Sequence, residues 1–333
     1  MKKKYHAAII GAGNIGAFYS LPDDYNGILT HAHAYKIEKR TELVAFVDVD
    51  YEKAQKAARV WKARPYKNPQ EMFKKEKIDI VSVCAPDEIH KNILKDCLKH
   101  KLKAVFCEKP LTTDIQSGER LVKEYSQAGI LLAVNYTRRF NKDIINLKKK
   151  INKNEFGQPL NIIGIYAKGI LHSGSHLIDL LRYFFGEIAQ AIPLGVRIDW
   201  EKADPTIDAF LKFNSGVTAH IVAADDRHYS MLDLDLIFQK NRLQLTEFGS
   251  KITLYKLKQS RFRGGSLLLH PVSVKEIKLN RTIINAVTNI VNTLEGKEKL
   301  LCPGIEALKT QKVCHQLIET FKTKENSYGK IGH

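Results

Sequence analysis

A glycine-rich loop follows the first apolar run of the chain and has the spacing of a phosphate-binding turn. Residues 9–16 read IIGAGNIG, which puts Gly11, Gly13 and Gly16 in a G-x-G-x-x-G pattern. In such loops the first glycine permits a tight turn, the second lets the backbone approach a pyrophosphate, and the third lets helix and strand pack closely. Three glycines could also form an ordinary turn. The preceding apolar run His6–Ile10 favours a dinucleotide site, with the phosphate bound by backbone N–H groups at a helix start.

An acidic residue ends the second apolar run, which reads FVDVD. Asp48 is positioned to accept hydrogen bonds from the adenosine ribose hydroxyls, although a solvated strand-end acid is the alternative interpretation. Its separation from Gly16 exceeds the usual ~20 residues. The excess is Ser20–Lys36, whose proline, aspartates and glycine predict an inserted loop that breaks the first helix. Val49 follows Asp48 with no Arg or Lys beside it to receive a 2'-phosphate, which favours NAD over NADP.

The first part of the chain alternates short apolar runs with segments of helical periodicity, as in a parallel sheet with crossover helices. The strand candidates are His6–Ile10, Leu43–Val47, Ile78–Cys84, Ala104–Cys107 and Ile130–Asn135. The helix candidates are Tyr51–Trp61, His90–His100 and Ile115–Gln127. This pattern predicts a doubly wound α/β domain of the Rossmann type over residues 1–138.

The rhythm changes from about Asn161 onward to one short helix and long alternating runs. These segments are the helix Ser175–Phe185, the hairpin Ile207–Ala224, the strands Leu232–Gln239 and Arg242–Tyr255, and the closing helices Thr282–Leu294 and Ile305–Thr323. They predict a second, α+β domain over residues 139–333 with a large, mostly antiparallel open sheet. We expect this domain to bind substrate and to mediate oligomerisation.

The composition is that of a globular protein of two domains, with 333 residues, 44% hydrophobic and 27% charged. The formal net charge is +17, but the lysines are spread over the chain and no nucleic-acid motif accompanies them, so we expect no nucleic-acid partner. A small phosphorylated ligand or a lysine-rich proteome explains the charge as well. Without a membrane-spanning apolar run or a cleavage-site pattern, we expect a cytoplasmic protein with no membrane contact. The five scattered cysteines are expected to be idle reduced thiols.

Four further segments make the sequence resemble the Gfo/Idh/MocA oxidoreductases, the glucose-fructose oxidoreductase and inositol dehydrogenase family. They are DIVSVCAPDEIH at Asp79–His90, CEKPL at Cys107–Leu111, NYTRRF at Asn135–Phe140 and GSHLIDLLRYFFG at Gly174–Gly186. CEKPL matches the most diagnostic motif of that family, and the last segment matches the helix that carries its catalytic histidine. The resemblance implies a homodimer or homotetramer assembled through the open sheet.

The resemblance also implies roles for individual residues. The cofactor-binding residues would be Gly11, Gly13, Asn14, Ile15 and Gly16 at the pyrophosphate, Ala85, Pro86 and His90 on the nicotinamide side, and Glu108, Lys109 and Asn135. Lys109 would meet the reacting hydroxyl, His176 would be the general acid/base with Asp179 nearby, and Arg139 would contact the substrate. Removing a hydroxyl proton needs a base titrating near working pH, which His supplies, while an ammonium group stabilises the developing alkoxide.

His172 departs from the family pattern, which usually has an acid four residues before the catalytic histidine. We expect His172 to bind a substrate hydroxyl or relay its proton. Together with His176 and Asp179 it has a spacing that could bind a divalent metal. However, Ser173 and Gly174 predict a helix start between the two histidines, which would disrupt that face, so we expect no metal.

The favoured function is an NAD-dependent dehydrogenase or reductase acting on a hydroxyl-bearing carbon of a sugar, sugar nucleotide or cyclitol. The positive charge favours a phosphorylated substrate. Two alternatives stay open: an enzyme that uses tightly held NAD in a redox-neutral glycoside cleavage, and a regulatory protein that senses NAD or sugar without turnover. Retention of both Lys109 and His176 argues against the sensor, because sensing needs no proton transfer.

Overall fold

The structure is a computed structural model that describes residues 4–24, 26–262 and 264–328, with side chains described up to residue 323. The chain divides into two compact units. The first comprises the residues up to Asn141 together with Leu279–Lys309, and the second comprises Lys142–Lys278 together with the residues from Thr310 onward. The predicted boundary after residue 138 is close to the break at Asn141. The predicted continuous C-terminal domain differs from this division, because Leu279–Lys309 groups with the first unit.

The first unit contains a parallel sheet in the order β3-β2-β1-β4-β5-β6. Its strands are β1 Tyr5–Ile10, β2 Thr41–Val47, β3 Arg64–Tyr66, β4 Ile80–Val83, β5 Ala104–Cys107 and β6 Leu131–Val134. Strands β4 and β5 are buried along their whole length, as expected for a sheet covered on both faces. The strand order reverses between β1 and β4, and such a point opens a ligand crevice at the carboxyl ends of the strands. The predicted doubly wound layout is confirmed.

The described residues form α-helices in both units. They are α1 His31–Ile37, α2 Tyr51–Trp61, α3 Pro69–Lys75, α4 Asp87–Cys97, α5 Ile115–Ala128, α6 Lys142–Asn152, α7 Ser175–Phe185, α8 Thr282–Leu294 and α9 Gly304–Tyr328. Side-chain caps explain several of the starts. The Asp50 carboxylate accepts from two backbone N–H groups at the start of α2, and Asp114 accepts from Ser117 at the start of α5.

The segment after the glycine loop differs from the predicted helix and inserted loop. Only a five-residue π turn, Asn14–Phe18, follows Gly13, and part of the expected loop is helix α1. The Thr30 hydroxyl caps α1 by accepting from the His33 N–H. Ser20 closes the intervening loop, because its hydroxyl accepts the Leu29 N–H at 2.9 Å. The turn-forming residues therefore bend only the first half of the insertion.

Helix α8 joins the first unit because its apolar face completes that core. Ile283, Val287 and Ile290 are buried with the residues of the parallel sheet in one hydrophobic cluster. Arg40, just before β2, donates to the side chains of Asn292 and Glu295 at 2.8 and 2.9 Å. An α-helix so far along the sequence cannot be assigned to this core from periodicity alone.

The second unit contains a sheet in the order β14-β13-β12-β11-β7-β10-β9-β8. Its strands are β7 Pro159–Tyr166, β8 Ile188–Glu201, β9 Asp204–Phe213, β10 Thr218–Ala223, β11 Leu232–Phe238, β12 Asn241–Thr246, β13 Lys251–Gln259 and β14 Leu267–Glu276. The strands pair antiparallel except β7 with β10. This confirms the predicted mostly antiparallel sheet. Strict alternation of buried and half-buried residues along β11 and β12 shows that one sheet face carries the core.

Candidate active site

Each of the three glycines in the first loop is at its position for a different physical reason. Gly11 leaves β1 with φ +101°, and a Cβ there would lie 2.4 Å from the Cys84 carbonyl carbon. A Cβ at Gly16 would lie 2.2 Å from the Gly11 carbonyl oxygen. Gly13 has an ordinary φ of −82°, and no described heavy atom lies within 4 Å of the position of its Cβ. The fold itself thus requires Gly11 and Gly16, whereas Gly13 borders open space.

Asp48 ties the end of β2 to this loop. One carboxylate oxygen accepts the Ala12 N–H at 2.8 Å, and the other accepts the Asp50 N–H at 3.0 Å. A carboxylate has about four lone-pair sites, so acceptor capacity remains after these two bonds. The two predicted cofactor elements, loop and acid, are in direct contact. The sequence did not indicate that Asp48 also fixes the shape of the loop.

Asn14 and Ile15 follow Gly13 in the π turn, where Asn14 is exposed and Ile15 half-buried. π turns recur at functional sites, but this one is too short to carry a substantial helix dipole. The structure thus has a short turn where a regular helix start was predicted, and the phosphate contact itself stays a prediction.

His90 connects two of the predicted segments from a fully buried position. Its Nδ1 lies 2.8 Å from the Pro110 carbonyl oxygen and its Nε2 lies 2.9 Å from the Ala85 carbonyl oxygen. Carbonyl oxygens only accept, so both contacts are hydrogen bonds together only when both ring nitrogens carry hydrogen. Ala85 is half-buried and Pro86 is the exposed N-cap of α4. His90 thus holds the loop after β4 to the loop after β5, and its predicted nicotinamide contact stays a prediction.

Glu108, directly after β5, lies within a cluster of buried polar groups. Its Oε1 accepts from Asn135 Nδ2 at 2.6 Å and lies 2.9 Å from His31 Nε2. His31 Nδ1 lies 2.8 Å from the Ser82 hydroxyl, which lies 2.8 Å from the Tyr35 hydroxyl. The sequence predicted Glu108 and Asn135 but missed His31, Ser82 and Tyr35. The available signal was the i, i+4 spacing of His31 and Tyr35 in THAHAY, within the segment interpreted as a loop.

The environment of Glu108 favours its ionised form. Burial raises the pKa of this carboxyl, but the hydrogen bonds from His31 and Asn135 and the positive charge of Lys109 together lower it below its ordinary value. Burial also raises the pKa values of the neighbouring thiols of Cys84 and Cys107. These cysteines are therefore poor nucleophiles.

Lys109 and Arg139 occupy different surroundings in the first unit. Lys109 is half-buried and is joined to Pro110 by a cis peptide bond. The Arg139 guanidinium is almost fully buried and lies 3.4 Å from the Glu306 carboxylate. This ion pair gives no support to the predicted substrate contact of Arg139.

The second unit carries His172, His176 and Asp179. Helix α7 begins at Ser175, but a π turn over Gly169–Gly174 precedes it, and Gly174 itself is helical with φ −58° and ψ −32°. The predicted helix start between the two histidines is therefore observed at Ser175, although the π turn before it also has a helical backbone. His172 is exposed and His176 half-buried. Asp179 is buried and accepts from the Thr310 hydroxyl at 3.0 Å.

Two further acids hold this π turn in place. The Asp204 carboxylate accepts the backbone N–H groups of Leu171 and His172 at 2.6 and 2.8 Å. Asp199 accepts the Lys168 N–H at 2.9 Å. Burial raises the pKa of Asp199, but backbone and hydroxyl hydrogen bonds outweigh it and lower the net value. Asp199 and Asp204 are distant in sequence from the turn, and no motif indicated them.

Within the described residues, no group of three or more His, Cys, Asp or Glu side chains is arranged to hold a metal ion. The same part of the chain contains no helix of sufficient length and apolar character to cross a membrane.

The first unit fits a dinucleotide on two observations. Gly13 offers open space where a pyrophosphate would approach the backbone. Beside Glu108, the buried Asn135 Oδ1 has no hydrogen-bond partner among the described residues. A buried acceptor without a donor is costly, and a ligand amide N–H would satisfy it.

The comparisons with known proteins agree with this geometry. Residues 5–136 match the family model GFO_IDH_MocA, an oxidoreductase family with an NAD-binding Rossmann fold. Myo-inositol 2-dehydrogenase of Thermotoga maritima is 26% identical over 199 residues, which is 55% of this chain and 56% of that protein. The aligned chain thus spans little more than half the length of this curated relative.

Two solved structures share the complete fold. The UDP-N-acetylglucosamine 3-dehydrogenase GnnA from Acidithiobacillus ferrooxidans is 17% identical, with a TM-score of 0.74 over 95% of this chain and 97% of that one. The WlbA dehydrogenase from Bordetella pertussis, in complex with NADH and UDP-GlcNAcA, is 19% identical, with a TM-score of 0.75 over 97% of both chains. At this identity they establish the fold alone. The family match thus covers residues 5–136, which lie in the parallel-sheet unit, and identifies this part of the chain as an NAD-binding domain of the Gfo/Idh/MocA oxidoreductase type.

Proposed function

We propose that this chain is an NAD-dependent oxidoreductase that transfers a hydride between nicotinamide and a hydroxyl-bearing carbon of a sugar, sugar nucleotide or cyclitol. The observation that carries the proposal is the glycine loop of the first unit, packed against backbone at Gly11 and Gly16, open at Gly13 and bonded to Asp48. The relatives described above are named for a cyclitol and for UDP sugars, and these compounds share ring carbons that bear secondary hydroxyls.

Several residues of the first unit would hold the cofactor. The backbone around Gly13 would contact the pyrophosphate, and Asp48 would accept from the adenosine ribose hydroxyls. Asn135 Oδ1 would accept from the carboxamide N–H of the nicotinamide. Because the Asp48 carboxylate would repel a 2'-phosphate, we infer that NAD is preferred over NADP. When bound, NAD supplies the hydride acceptor.

We infer that two residues carry out proton transfer. The ammonium group of Lys109 would stabilise the alkoxide that develops as the hydroxyl loses its proton. His176 would accept that proton as general base and return it in the reverse direction. His172 would bind a neighbouring hydroxyl or relay the proton, and its backbone is fixed for this by Asp204. The excess of positive charge, +17 over the chain, favours a phosphorylated substrate.

A substrate screen tests this function. The protein is incubated with NAD and, separately, with sugar nucleotides, free sugars and cyclitols, and NADH formation is followed by absorbance. We expect one class to give NADH, with Lys109→Met as the inactive comparison. Cleaved glycoside without net NADH would replace the proposal by the redox-neutral reaction. Tight binding of NAD and sugar without any turnover would replace it by the sensor.

A further inference from the structure

A chain of hydrogen-bonded side chains leads from the interior of the first unit to Glu108. Tyr35, Ser82 and His31 are at most 1% exposed. Their contacts are Tyr35 Oη to Ser82 Oγ at 2.8 Å, Ser82 Oγ to His31 Nδ1 at 2.8 Å, and His31 Nε2 to Glu108 Oε1 at 2.9 Å. His31 and Tyr35 lie outside both the glycine loop and the segments of the family resemblance, whereas Ser82 lies in strand β4 within the segment Asp79–His90.

The chemistry of these groups determines which atom is the donor in each hydrogen bond. An ionised carboxylate only accepts, so His31 Nε2 must carry the hydrogen shared with Glu108. In a neutral ring Nδ1 then accepts, and Ser82 is the donor that faces it. Ser82 in turn can accept from the Tyr35 hydroxyl, whose pKa is raised by burial so that it keeps its proton. All three bonds then run in one direction, with every hydrogen used once.

We propose that His31 is a positioning residue of the nucleotide site. Its neutral ring, with the hydrogen on Nε2, donates to the Glu108 carboxylate and so fixes the position of that carboxylate beside Lys109 and Asn135. This inference rests on the proposed function for its catalytic meaning. Its structural content, a one-way donor chain ending on Glu108, stands on the contacts alone.

The inserted segment fixes the position of His31. His31 is the first residue of α1, whose start is capped by Thr30, and Ser20 closes the preceding loop through Leu29. The His31 ring also packs against the ring of Phe106 in β5, with centroids 4.5 Å apart. The ring is therefore held from the insertion on one side and from the sheet on the other.

Two substitutions at position 31 separate a hydrogen-bonding role from simple packing. His31→Gln can place an amide N–H near the position of Nε2, so we expect it to retain much of the contact with Glu108. His31→Asn is shorter and cannot reach. The matched control is His33→Asn, because His33 is also buried in α1 but contacts Ser20 Oγ at 3.1 Å.

The first readout is a double-mutant cycle with Glu108→Gln on the cofactor-free protein, measured by urea unfolding across pH. We expect His31→Asn and Glu108→Gln to be coupled at neutral pH by roughly tenfold or more in the folding equilibrium constant. Because the folded-state pKa of Glu108 lies below its unfolded value, stability from its ionised form is full above the unfolded value and is lost as pH falls through the folded value. The coupling should fade in that acid range, and the His33→Asn cycle should show none at any pH.

The second readout is the ring tautomer, from nitrogen NMR of histidine-labelled protein. We expect a ring signal with hydrogen on Nε2 and none on Nδ1 that is present in the wild type and missing in His31→Asn. NAD affinity, measured by calorimetry, should fall several-fold in His31→Asn and remain near wild type in His31→Gln and His33→Asn. Coupling no larger than that of the His33 control, or a His31 Nδ1 that carries hydrogen, would overturn the inference. Wild-type protein that does not bind NAD would overturn the proposed function instead, since the unfolding and tautomer readouts need no cofactor.

Discussion

Gly13→Ala is expected to separate cofactor binding from folding. Its φ of −82° suits any residue, and no described heavy atom lies within 4 Å of the added Cβ. Replacing glycine by alanine at a compatible position stabilises proteins by about 0.4–1 kcal/mol, because the unfolded chain loses freedom. We therefore expect an unfolding free energy equal to or slightly above that of wild type.

The same methyl group should weaken NAD binding. A backbone N–H approaches a phosphate oxygen to about 2.9 Å, whereas a methyl group keeps that oxygen near van der Waals distance. Losing one hydrogen bond to a charged group costs about 1.5–3 kcal/mol. This corresponds to a roughly ten- to hundredfold increase in the Kd for NAD.

Calorimetric titration with NAD and urea unfolding of the cofactor-free protein measure the two effects. Gly16→Ala is the contrasting variant, because its Cβ would meet the Gly11 carbonyl at 2.2 Å and should destabilise the fold by about 1–3 kcal/mol. Gly264→Ala, also in open space but in the second unit, should have the same small effect on stability and leave NAD affinity unchanged. Unchanged NAD affinity in a folded Gly13→Ala protein would show that the pyrophosphate does not pass over Gly13.

Two further predictions concern the charge at the ribose and the proton-transfer pair. Asp48→Asn retains a carbonyl oxygen for the Ala12 N–H but removes the charge, so the affinity for NADP relative to NAD should rise by about tenfold, or ~1.4 kcal/mol, in paired calorimetric titrations; an unchanged ratio would remove Asp48 from cofactor selection. Lys109→Met and His176→Ala should each lower kcat by roughly a hundredfold while NAD affinity stays near normal, as measured by steady-state kinetics on the substrate found in the screen; full turnover in both variants would show that the catalytic pair lies elsewhere.

Elements with strong periodicity were predictable from the sequence. Helices α2 and α7 begin and end at the predicted residues, because each has a clear apolar stripe and distinct ends. Strand β3 was missed because it is a three-residue edge strand containing Pro65, which lacks an N–H for a central ladder. Strand β14 was missed because it is exposed along its whole length, so its sequence lacks the alternation of apolar and polar residues that a half-buried strand shows.

The candidate site was predictable only where chemistry is local. The glycine loop and CEKPL are short motifs whose spacing carries their physical meaning. By contrast, His31 and Glu108 are 77 positions apart, and Asp204 meets His172 from 32 positions away. Such contacts depend on the tertiary fold, and the spacing of these residues along the chain does not predict them. The turn-forming residues between Ser20 and Thr30 also concealed the helix that carries His31.

Isotope transfer tests the proposed hydride transfer most directly. The sugar, sugar nucleotide or cyclitol identified in the screen is prepared with deuterium on the carbon to be oxidised and incubated with NAD and the wild-type protein. Direct transfer of hydride predicts that mass spectrometry finds the deuterium in the nicotinamide ring of the NADH formed. Deuterium recovered in water while the cofactor gains only ordinary hydrogen would contradict it.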